Sequence, residues 1–216
     1  MRVTDRDYQR LRRLQLLTGV VPLGLFLVSH LAINSRAISG PAAYQLSVEA
    51  IARLPWLNAI ELIAIALPLA LHVALGAVIA TTRQAAFEPA WPNERARWLQ
   101  RATGVYLSIY VIFHVWAIRL APARLAGQKP LFELMAAQLA HPLVWILQAV
   151  AVVAAAAHFS MGLLALAGPH GWPLAPQALS RLRVAAALSF ALLSALGVGS
   201  LAAFVWPAAR LMAGAR

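Results

Sequence analysis

The chain has 216 residues, is 62% apolar and has a mean hydropathy of +0.73. That is well above a soluble domain, so it reads as an integral membrane protein. It has no cysteine, which excludes disulfides, thiolate metal ligands and cysteine nucleophiles. The net charge of +11 comes from arginines lying between apolar runs, a distribution that fits membrane topology and not nucleic-acid binding.

The first residues, MRVTDRDYQRLRRLQ, are charged. No short apolar core with a small-residue cleavage site follows, so no signal peptide is expected. A spanning helix needs about 20 mostly apolar residues. Five runs qualify: Leu14 to Ile33, Trp56 to Thr82, Leu99 to Ile118, Pro142 to Ala167 and Val184 to Ala209. The expected fold is therefore all-α, a single membrane domain over residues 1–216 with five transmembrane helices. In the first loop, "GPAAYQLSVEAIARLPW" has Pro41 where a helix can start, and an interfacial helix under the outer surface is expected there. "FEPAWPNERARW" reads as a proline-rich inner loop, and the stretch from Gly127 to Ala140 as a further loop. Eleven basic residues fall on the side of the N-terminus and seven on the other. By the positive-inside rule the N-terminus is cytoplasmic and the C-terminus outside.

Two of the runs share a pattern. "LLTGVVPLGLFLVSH" ends at His30 and "RATGVYLSIYVIFH" ends at His114. His72 and His158 occupy the second and fourth runs, so each of the first four helices carries one of these histidines, at spacings of 42, 42 and 44 residues. Counting along alternating helices puts His30 and His114 at one outer level and His72 and His158 at one inner level. At about 1.5 Å per residue the levels differ by roughly 15 Å. Ionisable groups inside membranes are rare and mark function. Two facing imidazole pairs in a four-helix bundle point to two bis-histidine haems b, with His30 and His114 ligating the outer iron and His72 and His158 the inner. A zinc site would gather four ligands at one depth, which two levels argue against. Gly76 and Gly162 stand four residues after His72 and His158, on the same helix face, where a missing side chain makes room for a flat macrocycle; small residues also mark ordinary helix packing.

Glu61 is a carboxylate within the second run. It reads either as a membrane-edge residue reaching water or as a proton-exchanging group at a quinone pocket. Arg119 follows His114 and is a candidate for the outer haem propionates, with Arg83, Arg97 and Arg101 as inner candidates; a surface-anchor role is the alternative for each.

The combination "LTGVVPLGLFLVSHLAIN", "LPWLNAIELIAIALPLALHVALG", "LQRATG" leading to "FHVWAIR", and "HFSMGL" resembles the two-haem cytochrome b (b558 type) membrane anchor of succinate dehydrogenase and fumarate reductase, of the five-helix kind that works with menaquinone. The resemblance covers nearly the whole chain; the loops and the C-terminal end match poorly. It implies that the four histidines are the axial ligands. Further, it implies partner flavoprotein and iron–sulfur subunits, which would hold the FAD and iron–sulfur clusters, on the cytoplasmic face of a prokaryotic inner membrane. Electrons would pass to quinone, with no succinate site in this polypeptide, and a higher oligomer of the complex is compatible with this. The rival readings are a di-haem subunit of another membrane oxidoreductase, such as a hydrogenase, and a transporter using histidines as a proton relay.

Overall fold

A computed structural model describes residues 4–82, 94–120, 130–167, 172 and 174–213, with side chains up to residue 206. The described residues contain helices and no strand. Five of the helical stretches are long and apolar enough to cross a membrane: Asp5–Ser39, Leu57–Ala80, Glu94–Leu120, Pro142–Leu166 and Pro176–Trp206.

Helix α1 (Asp5–Val20) starts well before the apolar run at Leu14. Thr4 caps it, accepting from the Asp7 N–H at 3.2 Å, and Asp5 and Asp7 sit at the positive end of its dipole. The apolar run measures only what lipid can cover, whereas backbone bonding carries the helix on into polar flanks. The same reason starts the third span at Glu94 and the fifth at Pro176. Helix α2 (Pro22–Asn34) continues α1 within one span. Pro22 has no N–H and leaves the Thr18 carbonyl without its usual helical donor.

Beyond a 3₁₀ turn at Ser35–Ser39, Gly40 takes φ 106°, a conformation that favours glycine. It turns the chain into α3 (Pro41–Ala52), which has proline in its first turn. This is the short helix expected in the first loop. The second span is α4 (Leu57–Ile60), a π-helical segment Glu61–Ala66, and α5 (Leu67–Ala80). Pro68 cannot donate to the carbonyl four residues back, and the wider turn just ahead absorbs the misfit: the Leu67 N–H reaches back to the Leu62 carbonyl. Helix α6 (Glu94–Val115) ends in a second π-helical segment, Trp116–Leu120. Helices α7 (Leu131–Leu139), α8 (Pro142–Leu166) and α9 (Pro176–Ala213) follow. Helix α7 lies where the sequence reads as loop. Its Phe132, Met135 and Leu139 recur at helical spacing and are all buried.

The chain divides into two compact units. One comprises Met1–Leu27, Asn58–Val105 and Ala156–Ala191; the other comprises Val28–Leu57, Tyr106–Ala155 and Leu192–Arg216. In the first, Tyr8 of α1 packs with Leu75 and Ile79 of α5. In the second, Tyr44 of α3, Phe132 of α7 and Phe204 of α9 form an aromatic cluster. The Tyr44 and Phe132 ring centroids each lie 5.0 Å from that of Phe204. Also in the second unit, Gly197 lets α9 approach Val152 and Leu31, where a Cβ would clash with Val152. Along the spans many large apolar side chains remain uncovered, among them Leu25 at 69% and Ile112 at 74% exposure. An uncovered apolar surface of this kind, on helices whose backbone bonds are satisfied internally, suits a hydrocarbon surround.

The aromatic cluster sets a stability expectation. Phe204 is 1% exposed, and Phe204→Ala is expected to destabilise by about 3–5 kcal/mol. Leu192→Ala, at a position 67% exposed, is expected to change stability by about 0.5 kcal/mol or less. Thermal unfolding of both variants in detergent checks the contrast.

Candidate functional site

In the first unit the rings of His72 (α5) and His158 (α8) face each other with centroids 6.1 Å apart and planes at 82°. His72 Nδ1 lies 2.9 Å from the Gln15 carbonyl oxygen. A carbonyl only accepts, so Nδ1 carries the proton and donates, and Nε2 keeps its lone pair. The Thr18 hydroxyl is 3.5 Å from the same nitrogen and donates its own proton towards the Leu14 and Gln15 carbonyls, at 2.9 and 3.0 Å. On the other side, His158 Nδ1 is 3.1 Å from Thr103 Oγ1. The single hydroxyl proton of Thr103 serves the Leu99 and Gln100 carbonyls, at 2.8 and 3.1 Å. Its lone pair is therefore left to accept from His158 Nδ1–H, so Nε2 is the nitrogen without a proton; the Gln100 side-chain amide lies 3.5 Å from it. Gln100 Nε2 also donates to the His158 carbonyl at 3.2 Å.

Each ring lies against a glycine. A Cβ on Gly19 would stand 2.5 Å from His72 Cε1, and one on Gly104 would stand 3.1 Å from His158 Cε1. This accounts for the repeated Thr-Gly-Val. The repeat extends to Gln15-x-x-Thr18-Gly19-Val20 and Gln100-x-x-Thr103-Gly104-Val105. Its Thr-Gly step seats an imidazole from another helix, so its partners are His72 and His158, rather than the histidines that follow it along its own helix.

In the second unit His30 (α2) and His114 (α6) face each other with centroids 6.0 Å apart and planes at 86°. His114 Nδ1 is 3.3 Å from the Tyr110 hydroxyl one turn earlier, and the two rings stack at 5.5 Å. The Tyr110 hydroxyl donates to Gln148 Oε1 at 2.5 Å, so its lone pair is free to accept from His114 Nδ1–H. Tyr106 stacks on Tyr110 at 6.1 Å and donates to the Leu147 carbonyl at 2.9 Å. Asn34 donates to the His30 carbonyl at 2.8 Å.

The other residues singled out from sequence stand as follows. A Cβ at Gly76 would meet the Gln15 amide nitrogen at 2.9 Å, and one at Gly162 would make ordinary contact with Val20 at 3.7 Å. The glycines against the imidazoles are thus Gly19 and Gly104, and the repeat is the signal that could have found them. Glu61 opens the π-helical segment of the second span and is half-buried. Arg119 and Arg101 are exposed, and Arg97 is ion-paired with Glu94 at 3.6 Å. Arg83 lies outside the described residues. Sequence reasoning also passes over Tyr110, Gln148 and the buried Arg12, which donates to Gln15 Oε1 at 2.6 Å.

These features define a five-span, all-helical membrane protein with interior histidines facing in pairs. Over 195 residues the chain is 33% identical to the succinate dehydrogenase cytochrome b558 subunit of Bacillus subtilis (strain 168), covering 90% of this chain and 96% of that protein. The chain belongs to this family of succinate dehydrogenase membrane cytochrome b subunits. No protein-family model and no solved structure matches it.

Substitutions at two positions test the seating of the histidines. Thr103 is buried at 8% exposure. Thr103→Val is expected to leave the His158 N–H without its acceptor and to destabilise by about 1–3 kcal/mol, while Thr103→Ser retains the hydroxyl and most of the stability. Gly19→Val, which drives a side chain into the His72 ring, is expected to cost about 1–3 kcal/mol. Thermal unfolding in detergent reads both.

Proposed function

We propose that this chain is the electron-carrying anchor of a succinate:quinone oxidoreductase, holding two b-type haems, one between His72 and His158 and one between His30 and His114. The observation that carries the reading is the geometry within each pair. Imidazole–metal bonds are about 2 Å long, so two imidazoles on opposite sides of one metal have centroids roughly 6 Å apart; the measured separations are 6.1 and 6.0 Å. The donor chemistry fits as well. At His72, His158 and His114 the Nδ1 proton is taken up by a protein acceptor, which turns Nε2 towards ligation and raises its basicity. Among the described residues no three His, Cys, Asp or Glu side chains gather at one point, as a structural zinc would require.

Haem held between two imidazoles supplies one-electron chemistry without an open coordination position. The protein's own part is to orient the rings and exclude water. Gln15, Thr18 and Gly19 seat His72; Thr103 and Gly104 seat His158; Tyr110 and Gln148 seat His114. In this reading flavoprotein and iron–sulfur subunits dock on the cytoplasmic face of a prokaryotic inner membrane, with the N-terminus of this chain on that side. Succinate is oxidised in those partners, and electrons leave the membrane subunit on quinone, menaquinone in the type resembled. Gly162 gives room beside the inner site, whereas the space over Gly76 is taken by the Gln15 amide, and Arg119 serves the outer propionates. Glu61 exchanges protons with quinone: its carboxylate opens a π-helical segment within an apolar span, and such segments are frequent at functional sites.

A reduced-minus-oxidised spectrum of the purified chain is expected to show two b-type haems. His72→Ala and His158→Ala should each remove the same one, and His30→Ala and His114→Ala the other. Loss of the same haem in His30→Ala and His72→Ala would overturn the pairing.

Glu61→Gln is expected to keep both haems and to slow quinone turnover of the assembled complex about tenfold or more, within the range that a positioned proton-transfer group contributes. Unchanged turnover would make Glu61 a membrane-edge residue.

A further inference from the structure

Arg12 is a cation in an unusual place. It is 8% exposed, on a helix that enters an apolar span, where a buried charge is costly and is retained for a reason. Its neighbours place it beside the inner histidine pair. Tyr8, one turn before it on α1, packs with Leu75 and Ile79, which follow His72 on α5 by one and two turns. Gln15, nearly one turn after it, takes its Nη1–H on the side-chain oxygen at 2.6 Å. The same Gln15 holds His72 Nδ1 with its backbone carbonyl and fills the space over Gly76 with its amide.

A haem brings two carboxylates with it, and in a bundle of apolar helices those carboxylates need a cation. A guanidinium offers them a fork of parallel donors. The described arginines that the sequence offers for this propionate are worse placed: Arg97 is engaged by Glu94, and Arg101 is exposed. We propose that Arg12 binds a propionate carboxylate of the haem held by His72 and His158, with the Gln15 side chain fixing the guanidinium. This rests on a haem being bound at that pair. Gln15 then serves both ends of the group, orienting an axial ligand with its main chain and a propionate partner with its side chain.

The test is a potentiometric titration of the haem-loaded chain, following both haems in wild type, Arg12→Gln, Arg12→Lys and Gln15→Leu. A nearby cation favours the reduced haem, which carries one positive charge fewer. In Arg12→Gln the reduced-to-oxidised ratio of the His72–His158 haem at a fixed ambient potential is expected to fall about tenfold, equal to 59 mV for one electron. The ratio of the other haem should move less than about twofold. Arg12→Lys keeps the charge and should recover most of the ratio. Gln15→Leu keeps Arg12 and the backbone carbonyl, and should shift the same haem in the same direction by a smaller factor; it carries the test if Arg12→Gln does not accumulate. Wild-type ratios in Arg12→Gln and Gln15→Leu would overturn the assignment. So would equal shifts of both haems, or a lysine variant no better than glutamine. An Arg12 contact with a lipid phosphate or a partner-subunit carboxylate, distant from the haem, predicts such unshifted ratios. If the wild-type chain binds no haem that depends on His72, the bis-histidine reading itself fails; if it binds one that ignores Arg12, only the propionate assignment fails.

Discussion

An imidazole placed among apolar helices must satisfy its N–H before its other nitrogen can ligate, and much of this structure follows from meeting that demand. The acceptors are a main-chain carbonyl for His72, a threonine hydroxyl for His158 and a phenol for His114. Each hydroxyl is committed as a donor elsewhere, Thr103 to the carbonyls of its own helix and Tyr110 to Gln148. The direction of the histidine hydrogen bond is thereby set, and with it the tautomer. A helix that carries such a side chain can no longer be chosen for packing alone.

Backbone irregularities accompany the same elements. The first span is interrupted at Pro22, shortly after the Thr18-Gly19 seat, and the second widens into a π-helical segment ahead of Pro68, one turn before His72. Both prolines remove a donor that a straight helix would use. Glycine has a different part. At Gly19 and Gly104 the absent side chain is what lets an imidazole rest against the neighbouring helix.

The five spans and the four ligating candidates are legible in the sequence for one reason: residues that lipid rejects are rare in a run of about 20 apolar ones, so both the runs and their exceptions stand out. The helix starts at Asp5 and Glu94 are less legible, because hydropathy marks the lipid boundary whereas capping and backbone bonding mark the helix boundary. Helix α7 is short and falls between spans, and only the spacing of Phe132, Met135 and Leu139 betrays it. Helices that are apolar on every side show no periodic stripe from which to read facing. That is why Gly76 and Gly162, chosen from their own helices, differ from the glycines that touch the rings. Arg12 is hidden for another reason: in the sequence it is one of several N-terminal arginines that topology alone explains, and only its burial sets it apart.

The unequal acceptors bear on how such a protein can evolve. Wherever the acceptor is a side chain, one substitution of Thr103, Tyr110 or Gln148 alters the basicity of a histidine without touching the histidine itself. At His72 the acceptor is the peptide group of Gln15, which every residue at that position would supply. One histidine of the first pair is thus shielded from drift while its partner stays adjustable, so a lineage can alter the pair through His158 and keep His72 as a constant reference.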